Sequence, residues 1–288
     1  LDWRVTTPND TLRLQVRIDA PADAVFRTLT DTDLLIDWLA ESADVSLDDS
    51  RYEFWGRYAP QGDRARQRLL ASEPGRLLSF DWEFDGAPPS VVTVTLEPHD
   101  GGDTVVRVEH TGVPTTGTAN PTALHCFWHV SLANLAAYCE SLPTMPPFDF
   151  SVPAQGDALL RTVIDVPPDE VFASLLDPAQ VDRWAGGEAV IEPKVGGRYD
   201  FGWDHGPVTI LELEQDKVLA YSWRYPDSPE TVVRWALRGA RGSTYLTLMH
   251  SGFDRDELAE QFRQGWPGYL VEVKRMLELG DRWEPINS

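Results

Sequence analysis

Lysine is nearly missing from this chain. Only three of its 25 basic residues are lysine, and 46 acidic residues bring the net charge to −21 over 288 residues. A nucleic-acid partner needs a basic face to release counterions, and an anionic bilayer needs one to hold the protein, so the charge argues against both. The acidity is spread along the chain, with 11 basic against 23 acidic residues through Phe150 and 14 against 23 after it. An arginine-dominated acidic composition fits GC-rich coding and a salt-adapted host equally. Long apolar runs are absent as well. There is no stretch of about 20 apolar residues to span a membrane and no apolar segment like a signal peptide's, so the cytoplasm is the expected compartment. Cysteine is scarce: Cys126 and Cys139 lie in one predicted helix, about three to four turns apart, and cannot reach each other in a disulfide.

The usual catalytic and cofactor signatures are also missing. There is no G-x-S-x-G, no phosphate loop, no G-x-G-x-x-G and no C-x-x-C. Acidic residues are abundant, yet no distinctive carboxylate pair stands out for acid/base work. No catalytic residue is assigned and no cofactor is expected. His125 and His129 stand at i, i+4, a spacing that can present two imidazoles to a metal. No Glu follows His125 and no third ligand is evident, so no metal site is assigned.

What the chain does have is one stretch written twice. Ile18 to Trp38 reads IDAPADAVFRTLTDTDLLIDW, and Ile164 to Trp184 reads IDVPPDEVFASLLDPAQVDRW. At a constant offset of 146 residues, nine of 21 positions are identical without a gap. That period is too long for a solenoid and implies two copies of a whole domain. Each copy opens with an alternating segment suited to a half-buried strand, Leu14 to Ile18 and Leu160 to Ile164. Asp-x-Pro ends the strand, because proline has no N–H for a ladder. Val25, Phe26 and Leu29, like Val171, Phe172 and Leu175, give one buried face of a short helix. Asp31 and Asp177 suit the cap of a second short helix carrying Trp38 or Trp184.

This order, strand, x-Asp-x-Pro-x-x-x-Val-Phe, helix, Trp, resembles the opening of the START/SRPBCC superfamily, and within it the branch related to the activator of the 90-kDa heat-shock protein's ATPase. The resemblance implies an α+β fold of two tandem helix-grip domains, each a curved antiparallel sheet around a long C-terminal helix with a cavity between them. The rest of the chain follows that order. Candidate strands are Arg51 to Trp55, Arg64 to Ala71, Leu77 to Phe84, Val91 to Glu97 and Thr104 to His110, and Leu124 to Glu140 reads as the long helix. In the second copy, Tyr199 and Phe201 answer to Tyr52 and Phe54. Likewise Leu219, Tyr221 and Trp223 answer to Leu78, Phe80 and Trp82, His250 to His110, and Trp266 to Trp128. The expected organisation is a first domain over 1–140, a stiff proline-rich linker over 141–156 and a second domain over 157–288. The second copy keeps the family pattern better. The first has Asp49-Ser50 where the second has Gly196-Gly197, and it carries an Arg-rich strand, so it is the copy expected to be specialised.

Period-two alternation sorts the inward side chains. In the first domain the cavity candidates are Tyr52, Phe54, Phe80, Trp82, His110 and Trp128. In the second they are Tyr199, Phe201, Trp203, Tyr221, Trp223, Trp235, His250 and Trp266. Eleven tryptophans is about threefold above ordinary usage. Such a face either lines an apolar pocket for a flat or hydrophobic ligand or forms a solid core. The pocket is favoured because the resemblance implies a cavity. His110 and His250, at matching strand ends, could orient a ligand or shuttle a proton. The favoured reading is a structural histidine tying the strand end to the following Thr/Ser-Gly turn. Arg64, Arg66 and Arg68 alternate on one strand and are expected to face outward and pair with surplus carboxylates.

Three functions are open. The first is a binding protein for a hydrophobic or aromatic small molecule. The second is a co-chaperone-like modulator of a heat-shock ATPase, with a chaperone as partner. The third is a cyclase- or dehydratase-like enzyme using the same cavity. The first is favoured.

Overall fold

A computed structural model describes residues 11–117, 119–203, 208–240 and 242–287. The chain divides into two compact units, one ending at Val152 and taking in Ile286 and Asn287, the other running from Pro153 to Pro285. Among the described residues no helix is long and apolar enough to cross a membrane.

The first unit opens with β1 (Thr11–Ile18), where Leu12, Leu14, Val16 and Ile18 are buried and their neighbours are not. Two short helices follow, α1 (Ala22–Thr30) and α2 (Thr32–Trp38). Asp31 caps α2, its carboxylate accepting from the N–H groups of Asp33 (3.1 Å) and Leu34 (3.3 Å). Then come β2 (Ser42–Ser46), β3 (Arg51–Trp55), β4 (Gln67–Glu73), β5 (Leu77–Trp82), β6 (Ser90–Pro98), β7 (Thr104–Thr111) and the long helix α3 (Pro121–Cys139). The antiparallel sheet has the order β1-β7-β6-β5-β4, and β2-β3 form a separate antiparallel pair. β2 has no counterpart among the sequence expectations: its residues alternate, but Ala43 and Val45 are its only apolar members, and all five residues are half-buried. β4 begins three residues later than expected, so only Arg68 of the three arginines lies on it.

The second unit repeats this with β8 (Ala158–Ile164), α4 (Pro168–Leu176), α5 (Pro178–Ala185), β9 (Val190–Ile191) and β10 (Arg198–Asp200). β11 (Val208–Glu214), β12 (Val218–Trp223), β13 (Thr231–Ala240), β14 (Ser243–Ser251) and α6 (Asp256–Leu279) complete it. Here one seven-stranded sheet runs β8-β14-β13-β12-β11-β10-β9. The two units even place a register shift at the same point, between Leu69 and Ala71 in one and Ile210 and Glu212 in the other.

The duplicated residues make duplicated bonds. Trp38 donates its indole N–H to Thr28 O (3.3 Å), as Trp184 does to Ser174 O (3.0 Å), fixing the second short helix against the first. Thr104 bonds Ala20 O (2.7 Å) and Thr244 bonds Val166 O (2.8 Å) at the strand-to-helix turn. The N–H groups of Asp19 and Asp165 donate to Glu140 (3.1 Å) and Glu278 (2.8 Å), which ties the end of each long helix to that turn. The long helices pack on their sheets, α3 on β1 and α6 on β8 and β14.

The proline-rich stretch after α3 is attached to the first unit. Asn134, 1% exposed, grips Met145 at both ends, donating to its carbonyl (3.1 Å) and accepting from its N–H (2.8 Å). Phe150 N–H donates to Arg57 O (2.7 Å), and the Phe150 ring approaches Phe127 at 6.5 Å. α3 is therefore buried on nearly every side from Cys126 to Ala136.

Candidate functional site

The inward aromatic faces assemble as the alternation requires. Tyr52, Phe54, Phe80, Trp82, His110 and Trp128 in the first unit are all buried, as are Tyr199, Phe201, Tyr221, Trp223, Trp235, His250 and Trp266 in the second. The rings touch: Trp82 meets Phe54 at 5.1 Å, Phe127 at 5.2 Å and His110 at 5.6 Å. Tyr199 stacks on Tyr221 at 4.5 Å, and Trp223 meets Trp266 at 5.6 Å. Trp203 differs. It lies past the end of β10, half-buried, stacked on Phe201 at 4.2 Å, with its N–H given to Gly186 O (3.1 Å).

Within each face sits the same three-member relay. Trp128 donates to His110 Nδ1 (3.1 Å), and His110 Nε2 meets Ser90 Oγ (2.7 Å), which donates to Trp82 O (2.9 Å). Trp266 donates to His250 Nδ1 (3.1 Å), and His250 Nε2 meets Thr231 Oγ1 (2.8 Å), which donates to Trp223 O (3.3 Å). An indole N–H can only donate, so Nδ1 is the acceptor and the ring proton stands on Nε2. Every proton in the chain then has one direction. Burial lowers both imidazole pKa values to about 3 and keeps the rings neutral near pH 7. Neither histidine has a lone pair free to take a proton from the hydroxyl beside it. Each ties its strand end to the start of the neighbouring strand and to the long helix, not to the Thr/Ser-Gly turn that follows it.

The partners Ser90 and Thr231 share the inward parity of Val92 and Val233, but the strand expected in the first domain starts one residue later, at Val91. A signal for them does exist, since Ser90-Val91-Val92 and Thr231-Val232-Val233 match where the strand begins. Other indoles are also satisfied, Trp235 donating to Tyr221 Oη at 3.1 Å. Among the described buried indoles, Trp82 and Trp223 are the exceptions. They occupy the same place in the two sheets, opposite Ser90 and Thr231, and each has a buried Nε1–H without a partner. Gln67 Nε2 and Gln61 Oε1 are in the same condition in the first unit.

The remaining candidates are placed plainly. Arg66 pairs with Asp85 (2.7 Å) and Arg68 with Asp81 (2.9 Å), while Arg64 is exposed. His125 and His129 have ring centroids 5.3 Å apart. No group of three metal-binding side chains exists among the described residues. Burial, then the neighbouring His129, lowers the His125 pKa to about 3. A groove of about 360 Å³ lies on the outer face of the first sheet. Its arginines are engaged, Arg13 with Glu109 (2.8 Å) and Arg107 with Gln15 (3.0 Å).

A curved antiparallel sheet closed by a long C-terminal helix, with an aromatic inner face, defines a START-like helix-grip domain, and this chain carries two in tandem. The chain belongs to the family described as activator of Hsp90 ATPase homolog 1-like protein, whose model matches residues 19–140 and 165–278. Among solved structures it is similar to protein MLL2253 from Mesorhizobium loti, at 24% identity and TM-score 0.40, over 43% of this chain and 98% of that one. It is similar to CalU16 from Micromonospora echinospora, at 24% identity and TM-score 0.39, over 45% of this chain and 77% of that one. It is also similar to DynU16, a putative protein in the dynemicin biosynthetic locus, at 20% identity and TM-score 0.36, over 93% of this chain and 98% of that one. No curated protein matches the chain.

Proposed function

We propose that the chain is a binding protein for a hydrophobic or aromatic small molecule, held between sheet and C-terminal helix. The observation that carries this reading is the matched pair Trp82 and Trp223. Both keep an unpartnered indole N–H inside an aromatic face where the indoles of Trp128, Trp235 and Trp266 each have an acceptor. Burying a donor without an acceptor costs about 1–3 kcal/mol, so native proteins rarely keep one unless something else fills the position. Keeping one twice, at equivalent places, fits a guest that brings an acceptor. An enzyme of the cyclase or dehydratase kind would draw on His110 or His250 as the proton carrier, and the relay supports a structural role for both.

Native mass spectrometry of the protein purified from its own host tests this, followed by denaturation and identification of what is released. One or two small molecules per chain is the expected result. A chain that comes out empty, and whose tryptophan fluorescence no apolar aromatic compound quenches, overturns the reading.

The family's description supports a second reading, a modulator of a heat-shock ATPase with a chaperone as partner. It requires the protein to change the ATPase rate of a 90-kDa heat-shock protein at micromolar amounts. Small molecules would then leave its own fluorescence unchanged.

A further inference from the structure

The two sheets differ at one seam. In the second domain β10 and β11 pair directly, Arg198 with Thr209 and Tyr199 with Val208, and the sheet is continuous. In the first domain β3 and β4 belong to separate sheets. Two glutamines stand in for the missing ladder. Gln67 Oε1 accepts from the N–H groups of Phe54 (3.2 Å) and Arg66 (3.1 Å), and Gln61 Nε2 donates to Phe54 O (2.7 Å). These bonds fix which end of each amide is which. The other ends, Gln67 Nε2 as donor and Gln61 Oε1 as acceptor, are buried without partners.

Trp82 lies opposite Gln67 on the neighbouring strand, and its Nε1–H is a second unpartnered donor. Facing residues of an antiparallel pair share a face of the sheet. Gln67 is 5% exposed and Trp82 fully buried, so the donors belong to the inward face and not to the solvent side. Counted from the shared register shift, the second domain has Val208 where the first has Gln67. Only Trp223 remains there to donate.

A buried water typically makes about three hydrogen bonds, so it needs a cluster of polar atoms and not a single one, and a ligand that brings both a carbonyl and an N–H makes the same bonds. Here two donors and one acceptor are left over around one open seam: Gln61 and Gln67 both bond Phe54, Trp82 faces Gln67, and the Phe54 ring meets those of Phe80 (6.0 Å), Trp82 (5.1 Å) and Phe127 (6.0 Å). We propose that the seam between β3 and β4 is the polar end of a binding site, specific to the first domain, for a planar apolar molecule bearing a lactam or secondary amide. The ligand carbonyl accepts from Gln67 Nε2 and Trp82 Nε1, and the ligand N–H donates to Gln61 Oε1. The aromatic face takes the rings. This inference rests on the small-molecule reading above and gives that ligand its chemistry.

Isoquinolin-1-one and naphthalene share a two-ring shape, and only the first carries the lactam. Calorimetric titration of the full chain with each should give about tenfold tighter binding of isoquinolin-1-one. Gln67→Val, which installs the second domain's residue, and Trp82→Phe should each remove most of that preference while naphthalene still binds. In the wild-type ¹H–¹⁵N spectrum, isoquinolin-1-one should move the Trp82 indole N–H downfield and leave that of Trp223 in place. That readout does not depend on the variants folding. Equal affinity for the two compounds, or a shift at Trp223 alone, overturns the lactam site and leaves the small-molecule reading standing. Binding of neither compound counts against both.

Discussion

Trp128 gives its indole N–H to His110 Nδ1 at 3.1 Å, and that single bond decides what the histidine can do. With Nδ1 occupied, the ring proton sits on Nε2 and points at Ser90. The arrangement looks like a serine–histidine pair but runs the opposite way, with the imidazole as donor. Trp266 imposes the same on His250 and Thr231.

His110→Gln and His250→Gln should each destabilise the protein by about 2–4 kcal/mol, because an indole N–H and a hydroxyl lose a shaped partner inside the core. Urea denaturation measures this.

The same histidines make stability pH-dependent. Their folded pKa values lie near 3, against 6.5 as the ordinary value. Between those limits the unfolded chain takes up protons that the folded chain refuses. The contribution is complete above about pH 6.5 and is lost as pH falls towards 3, at up to ~1.4 kcal/mol per pH unit for each histidine. Denaturation midpoints at about pH 7.5 and about pH 5 should differ more in the wild type than in His110→Gln. Equal differences would mean that His110 titrates normally.

Two tryptophan substitutions should separate satisfied from unsatisfied donors. Trp128→Phe strips His110 of its donor, whereas Trp82→Phe removes an N–H that has no partner. Both lose similar ring volume. Trp128→Phe should therefore cost about 1–3 kcal/mol more than Trp82→Phe, read from denaturation of the two variants side by side. A reversed order would mean that Trp82 has an acceptor.

Gln67→Ala should release the Phe54 N–H, which that side chain holds at 3.2 Å. Amide exchange at Phe54 should accelerate strongly and β3 should loosen, with a loss of about 1–3 kcal/mol. Tyr199, which lies on β10 in a continuous sheet, should keep its exchange rate.

Asn134→Ala should free the segment that follows α3, since Asn134 holds both polar groups of Met145. Proteolytic cleavage between Leu142 and Phe148 should speed up, and stability should fall by about 2–3 kcal/mol. For the proposed domain limits 1–140 and 157–288, the consequence is that a chain ending at Val152 should be more stable than one ending at Glu140.

Much of this fold is legible in the residues. The Asp-x-Pro stop, the Asp31 and Asp177 caps and the Val-Phe-Leu face are local devices, and the structure uses each where its chemistry places it. Alternation sorted the inward aromatics because a strand's side chains have a period of two whatever the strand pairs with. It missed β2, whose only apolar members are Ala43 and Val45, and it placed Trp203 on a strand, whereas that residue lies beyond the end of β10. It also extended β4 back to Arg64, whereas the chain enters the strand only at Gln67.

The sequence by itself determined that one domain occurs twice, where most of its strands and helices lie, and which face of each sheet is aromatic. These follow from local backbone preferences and from a periodicity that repeats every two or four residues. Tertiary structure alone decided which polar atoms meet. Ser90, His110 and Trp128 come together from β6, β7 and α3, and Gln67 reaches Phe54 only because β3 and β4 leave their ladder unmade. Hydrogen bonds between distant segments depend on strand register and helix placement to within a few tenths of an ångström, and no local pattern in a chain encodes that.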